Sequence, residues 1–227
     1  MELDLTIAAI EIVWLTLMLA GDGGMSLALA TRALPEGRRR LGVNLGGLLL
    51  MAMRAAILVA ALACASLPGF GFLCAVALIF GAWLTARRGE AGQKVLRPSI
   101  GGLGPLLLAV AAQDASAALT NMLAAQAAAQ GSHPLAWLGL ALSLPMLALG
   151  ASPAVQLLRR PPLIWVGVLL LGWLAGRSAA ADSALAFTAM PPELMRDLAP
   201  PMGATLSALV VYIYLRRETF QRLPEED

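Results

Sequence analysis

The sequence has 227 residues, of which 59% are hydrophobic and 13% are charged, and its mean hydropathy is +0.77. Soluble domains carry roughly 25% charged residues, so this composition excludes an ordinary soluble domain. A net charge of +2 leaves no basic surface for nucleic acid, and two cysteines with one histidine argue against a Cys/His zinc site or a haem site.

Apolar stretches of about 20 residues recur along the chain, which is typical of helices that cross a lipid bilayer. Proline or glycine lies at most of the breaks between them, where a helix would stop. In chain order, the predicted spans are 5–32, 41–66, 70–86, 101–130, 134–157, 162–180 and 200–215. The predicted fold class is therefore an all-α membrane protein with seven transmembrane helices in a single membrane domain, 1–227. Residues 181–199 are predicted to form an outer loop.

The distribution of basic residues predicts the orientation, because cytoplasmic loops carry an excess of lysine and arginine. Basic residues follow the first, third, fifth and seventh spans, among them Arg38, Arg87, Arg159 and Arg216. The loops at 66–71 and 131–134 contain neither lysine nor arginine. We therefore expect the N-terminus outside and the C-terminus inside. The first span lacks a basic n-region and a clean cleavage site, so we expect it to be retained rather than removed as a signal peptide.

Two aspartates suggest an internal repeat. Asp22 in the first span and Asp114 in the fourth each lie among small residues inside an apolar helix. These two spans cross the membrane in opposite directions, and three helices followed by three inverted helices is an arrangement found in many transporters. We expect residues 5–97 to form repeat one, 98–182 to form repeat two, and 199–217 to add a seventh helix.

Charged residues within the spans mark a candidate ion path, because a charge at mid-bilayer costs roughly 2.5–3.5 kcal/mol on insertion scales. Asp22 and Asp114 are the predicted metal ligands. Glu11 and Arg54 are predicted to line the transport path. Glu11 shares a helix face with Asp22 but lies roughly 16 Å from it, so the two suit separate points along one path.

Further oxygen ligands are predicted around the two aspartates. The glycines at 21, 23 and 24 favour a broken turn or a very close helix crossing, and we predict a helix break at Gly21, Gly23 and Gly24. A broken helix frees backbone carbonyls, which with a carboxylate make an oxygen-rich cation site. Ser26, one turn after Asp22, and Asn121, on the same face as Asp114, could supply further oxygens to the path.

Structural explanations of the same residues stay open. Arg54 could pair with either aspartate and serve only the fold, and the glycines could serve helix packing alone. Asn121 could make an interhelical hydrogen bond. Cys64 and Cys74 flank an outer loop and could form a disulfide or remain small core residues.

Several short motifs, in this order, resemble the TerC-like integral membrane protein family, YjbE type, over roughly residues 5–182. The residues that carry the resemblance are Glu11-Ile12-Val13, Leu19-Ala20-Gly21-Asp22, Ala28-Leu29-Ala30, Leu34-Pro35, Gly46, Arg54, Leu142-Ser143-Leu144-Pro145, Gly150-Ala151-Ser152, Gly167 and Leu171-Gly172-Trp173-Leu174-Ala175-Gly176.

The resemblance implies a multi-pass protein of the bacterial cytoplasmic (inner) membrane that exports manganese or a related divalent cation. The family's signature is an Asp-Asn pair in each repeat. The aspartates match at Asp22 and Asp114, whereas the asparagine positions hold Gly23 and Ala115. We therefore expect a transporter whose substrate is a cation such as Mn²⁺, with proton coupling as one mode, and no permanently bound cofactor.

Other functions stay open beside cation export. The chain could be an accessory or assembly protein without transport, or an exporter of small organic solutes whose carboxylate meets Arg54. An intramembrane aspartyl protease is disfavoured, because Leu19 replaces the first glycine of its Gly-x-Gly-Asp motif. Motifs of serine and metal intramembrane proteases are absent as well, so no enzymatic activity is expected. Homo-oligomerisation is left open.

Overall fold

A computed structural model of the chain describes residues 2–32, 34–91, 102–149, 161–182 and 191–221. Within these residues every regular element is a helix, as the sequence predicts. The helices are α1 (Glu2–Arg32), α2 (Glu36–Cys64), α3 (Phe70–Ala91), α4 (Leu103–Ala128), α5 (His133–Leu149), α6 (Pro161–Ala180) and α7 (Pro192–Gln221).

Each predicted span overlaps one of these helices, and the crossing of the membrane by α5 stays a prediction. Six of them, all except α5, are long and apolar enough to cross a membrane. Helix α5 is described for 17 residues, and the end of its predicted span, 150–157, lies outside the described residues. The outward-facing side chains of Leu48 and Leu73 are 67% and 66% exposed, as expected of positions that contact lipid.

The predicted loop 181–199 is wrong at its C-terminal end, because helix α7 already begins at Pro192. Proline is favoured in the first turn of a helix, where its missing N–H group would have no partner anyway. Pro200 and Pro201 lie inside α7. An interior proline usually ends a helix, which is why the sequence pattern placed the start of this span too late.

The helices form two packed groups. Helix α1 packs against α4 and α5, and α2 packs against α4. In the second group α6 lies between α3 and α7. A hydrophobic core that includes Ile12, Leu58, Leu78, Met122 and Leu171 joins the two groups.

Glycines allow α6 and α7 to cross closely. A Cβ atom built on Gly172 would lie 2.5 Å from the carbonyl oxygen of Gly203, and one built on Gly176 would overlap the carbonyl of Ala199. Small residues spaced one turn apart let two helix backbones approach in this way, which maximises van der Waals contact inside a membrane.

The two ends of the bundle differ in composition. The guanidinium of Arg87 lies 5.4 Å above the ring of Trp83, and Trp83 meets Tyr214 edge-on with ring centroids 5.5 Å apart. The C-terminal ends of α3 and α7 therefore lie together at one end, called here the basic end. The turns at 65–69 and 129–132 form the opposite end, called here the turn end.

We predict that Gly203→Leu destabilises the fold, because the added side chain would meet the backbone of Gly172 and Gly176. Overpacking of this kind costs about 1–3 kcal/mol. The matched control is Gly47→Leu in α2, where nothing lies within 4 Å of an added Cβ atom. Thermal unfolding in detergent, followed by tryptophan fluorescence, should show a lower midpoint for the first variant alone. Equal midpoints would contradict the crossing.

Candidate functional site

A buried ion pair between α2 and α4 forms the centre of the candidate site. Arg54 Nη2 donates a hydrogen bond to Asp114 Oδ2 at 2.9 Å, and both side chains are 0% exposed. Arg54 belongs to the buried stripe of α2, which runs Gly42, Gly46, Leu50, Arg54, Leu58 and Ala61. This spacing of one residue per turn turns Arg54 towards α4 rather than towards lipid.

The ion pair is only partly satisfied. Asp114 Oδ1 and the Nε and Nη1 atoms of Arg54 are buried without a hydrogen-bond partner. A carboxylate accepts through both oxygens, and a guanidinium carries five N–H donors. The open oxygen of Asp114 can therefore accept a further donor, a proton or a cation while Oδ2 still contacts Arg54.

Helix α1 closes the site through Gly23. A Cβ atom built on Gly23 would lie 2.7 Å from the Asp114 carboxyl carbon and from both of its oxygens. The predicted helix break at Gly21, Gly23 and Gly24 is wrong, because α1 is one continuous helix. Gly23 instead serves a close helix crossing, because the absence of a side chain leaves space that the Asp114 carboxylate occupies.

The second predicted metal ligand, Asp22, falls within α1, but the structure describes neither its side chain nor the surroundings of Gly21. Its role therefore stays a prediction. The backbone position is informative, since residue 23 next to it touches Asp114. Ser26, one turn further along α1, is buried. Among the described residues, no three His, Cys, Asp or Glu side chains form a group that could hold a metal ion.

Asn121 lies at a different level of α4 from Asp114. Its Nδ2 donates to Ser143 Oγ at 3.3 Å, so it makes the interhelical hydrogen bond left open above. Seven residues of continuous helix separate it from Asp114, a rise of about 10 Å. Asn121 therefore cannot share one ion with Asp114, while its place on the transport path stays a prediction.

Glu11 pairs with an arginine that the sequence analysis did not identify as a site residue. Arg177 Nη2 contacts Glu11 Oε2 at 3.0 Å and also the carbonyls of Ala127 and Ala128. The two side chains are 24% and 12% exposed, respectively. One sequence feature could have identified this residue. It is an arginine in the last turn of α6, at the end of the bundle where the short loops contain neither lysine nor arginine.

A cavity of about 760 Å³ opens at the turn end, next to this second ion pair. Its polar lining residues include Gln126, Gln130, Arg177, Asp182 and Arg196. Asp182 accepts hydrogen bonds from the backbone N–H groups of Gly69 and Phe72 at 2.8 and 3.0 Å. It thereby satisfies donors at the start of α3 and fixes one wall of the cavity.

Both cysteines are free thiols in the structure. Cys64 is partly buried at the end of α2, and Cys74 is buried in α3. The disulfide that the sequence left open is therefore not formed, and Cys74 belongs to the hydrophobic core.

Comparison with known proteins identifies similar chains. The sequence profile of the integral membrane protein TerC family matches residues 1–221. A curated relative from Bacillus subtilis, named "Uncharacterized membrane protein YjbE", is 26% identical over 220 residues, which cover 96% of this chain and 100% of the relative. No solved structure matches the chain.

We predict that the Arg54–Asp114 pair shows strong energetic coupling. Arg54→Leu should lower the free energy of unfolding by about 3–5 kcal/mol, because it leaves a buried carboxylate without its counter-charge. The double variant Arg54→Leu/Asp114→Leu should recover much of this loss, since no unpaired charge remains. Thermal unfolding of both single variants and the double variant measures the coupling. Additive losses would show that the two side chains do not form a pair.

A second prediction concerns the close approach at Gly23. Gly23→Ala should displace the Asp114 carboxylate and lower stability, although alanine is the better helix former by about 1 kcal/mol. Gly104→Ala in the first turn of α4 is the control, because nothing lies within 4 Å of its added Cβ atom. Gly104→Ala should be neutral or stabilising in the same unfolding assay. A stabilised Gly23→Ala variant would contradict the contact with Asp114.

Proposed function

This chain belongs to the integral membrane protein TerC family, and we propose that it is a transporter that exports a divalent metal cation such as Mn²⁺. The observation that carries the proposal is Asp114, a buried carboxylate inside an apolar bundle with one oxygen open. Ionisable groups at this depth are costly and mark ion pathways and proton relays. Asp114 is the proposed substrate-binding carboxylate, and Asp22 is its proposed partner.

Arg54 takes the place of the substrate when no cation is bound. Its guanidinium neutralises Asp114 through Oδ2, so a cation that binds both carboxylate oxygens has to displace it. A divalent ion is neutralised by Asp22 and Asp114 together only when Arg54 turns away. The same exchange supports proton coupling, because a carboxylate that releases its cation can return in the protonated form.

The pairing of the helices supports the proposed inverted repeat. The proposed symmetry exchanges α1 with α4, α2 with α5 and α3 with α6. It converts the α1–α5 contact into the α4–α2 contact and the α1–α2 contact into the α4–α5 contact, and all four contacts are present. The α1–α4 and α3–α6 contacts map onto themselves. A two-fold axis in the membrane plane requires this symmetry. The proposed repeats are 5–97 and 98–182, with α7 outside both.

The proposed orientation places the basic end in the cytoplasm of a bacterial cell. Arg87 packs over Trp83 at this end, and aromatic residues with basic neighbours are typical of the cytoplasmic interface. The turn end, with its cavity, then faces the outside. This arrangement gives the N-out/C-in topology expected from the loops.

Export of a small organic solute is the second candidate. The specific observation in its favour is that Arg54 Nε and Nη1 are buried without a partner. A guanidinium edge matches a carboxylate group in geometry and charge. In this alternative Arg54, rather than Asp114, would contact the substrate.

The test is the manganese content of cells after a manganese load, measured by mass spectrometry in a manganese-sensitive host. The wild-type chain should lower cellular manganese, and Asp114→Asn should abolish this effect, because the substituted amide carries no charge to bind the cation. Asp22→Asn and the double variant should behave in the same way. Asp197→Asn, which changes an exposed aspartate of α7, is the matched control and should keep wild-type activity.

Two outcomes would overturn cation export through Asp114. The first is unchanged manganese with the wild-type chain at confirmed membrane expression. The second is an Asp114→Asn variant as active as wild type. Loss of solute export in Arg54→Lys with normal manganese handling would instead favour the second candidate.

A further inference from the structure

Two contacts fix the alignment of α1 with α4. Gly23 faces the carboxyl group of Asp114. Further along, a Cβ atom built on Gly139 of α5 would lie 2.8 Å from Ala125 Cβ and 3.3 Å from Ile12 Cγ2. Residue numbers fall on α1 as they rise on α4, so the helices are antiparallel, and both contacts belong to the same register.

This register places Thr16 opposite Asn121. Each lies two helical turns from the Gly23–Asp114 contact, in the direction of the turn end, and each keeps the same face of its helix. Thr16 and Asn121 are 1% and 0% exposed. Two polar side chains therefore lie at one level of the contact surface between α1 and α4, called here the seam, between Asp114 and the cavity.

Both side chains present an oxygen atom without a partner. Thr16 Oγ1 and Asn121 Oδ1 are buried and make no hydrogen bond. The orientation of the Asn121 amide follows from its neighbour. Ser143 donates its hydroxyl hydrogen to the carbonyl of Gly139 at 3.0 Å, so its oxygen is free to accept from Asn121 Nδ2. The open atom of Asn121 is thus its carbonyl oxygen, and a buried acceptor without a partner can bind a donor or a cation.

We propose that Thr16 and Asn121 form a transit site for a hard cation between Asp114 and the cavity at the turn end. The inference rests on the proposed function and adds a second site to it. Hard cations prefer oxygen ligands and keep part of their hydration shell. Neutral hydroxyl and amide oxygens bind such an ion more weakly than a carboxylate does, and a conduction path needs sites that an ion can leave.

The remainder of the seam supports this order of sites. Beyond Asn121, the backbone carbonyls of Ala127 and Ala128 accept from Arg177, which also holds Glu11. This ion pair lies at the end of the seam and borders the cavity. A cation released from Asp114 would meet the oxygens of Thr16 and Asn121 before it reached Glu11.

The test is the initial rate of Mn²⁺ flux in liposomes that contain the purified full-length chain, followed with a metal-quenched fluorophore. Thr16→Val removes one oxygen at nearly constant volume and should lower the rate about tenfold, the effect of one lost polar contact on a barrier. The Mn²⁺ concentration at half-maximal rate should stay close to wild type, because Asp114 is unchanged. Thr16→Ser keeps the hydroxyl and should restore the rate.

Thr120→Val is the matched control. Thr120 is as buried as Thr16 and adjoins Asn121, but it packs against Gly81 of α3 and donates to the carbonyl of Ser116 in its own helix. Its substitution should leave the rate unchanged.

Equal rates for Thr16→Val and Thr120→Val would overturn the transit site, as would a Thr16→Ser variant as slow as Thr16→Val. Asn121→Leu, which removes the amide oxygen at similar volume, should lower the rate as Thr16→Val does. An inactive wild type, or an Asp114→Asn variant with normal flux, would instead defeat the proposed function itself. The two failures are therefore distinguishable in one assay.

Discussion

One buried ion pair constrains the arrangement of α1, α2 and α4. Neither Arg54 nor Asp114 is tolerable alone at this depth, because an unpaired charge in a low-dielectric interior costs several kcal/mol. Helix α2 must therefore bring its buried stripe against α4, and small residues on that stripe, Gly42 and Gly46, contact side chains from both α1 and α4. Gly23 of α1 lies on the other side of the ion pair, where the Asp114 carboxylate occupies the space that a side chain at position 23 would need.

Several hydrogen-bonding atoms of the Arg54–Asp114 pair have no partner, as expected of charged groups that exchange binding partners. A fully satisfied buried network is rigid, whereas open donors and acceptors leave part of the interaction free energy unrealised. Asp114 has one open oxygen and Arg54 has two open nitrogen atoms. Under the proposed function, a cation arriving at Asp114 would gain an oxygen ligand before Arg54 had to release the other. The pair would then be a resting state of the carboxylate as well as part of the fold.

The sequence predicted the helices, apart from the early start of α7, and the presence of charged residues within them, because both follow from local properties. Apolar length, proline position and loop charge mark each span without knowledge of its neighbours. The choice of partners could not be predicted in the same way. Whether Arg54 met Asp22 or Asp114 depends on the register of three helices, and the role of Gly23 depends on the side chain opposite it. Arg177 was missed for the same reason, since its partner Glu11 lies in a helix distant in sequence.

The glycine at position 23, where the family has asparagine, has a structural explanation in this arrangement. The resemblance places asparagine at position 23, and there the structure has Gly23 against the Asp114 carboxylate. An asparagine side chain would not fit beside the carboxylate in this packing. Gly23 therefore supplies no side-chain oxygen to the carboxylate, while an open amide oxygen occurs two turns away at Asn121. In the proposed transporter, charge and neutral oxygens are thus separated along the seam. Such a separation would weaken cation retention at Asp114 and favour onward movement towards the turn end.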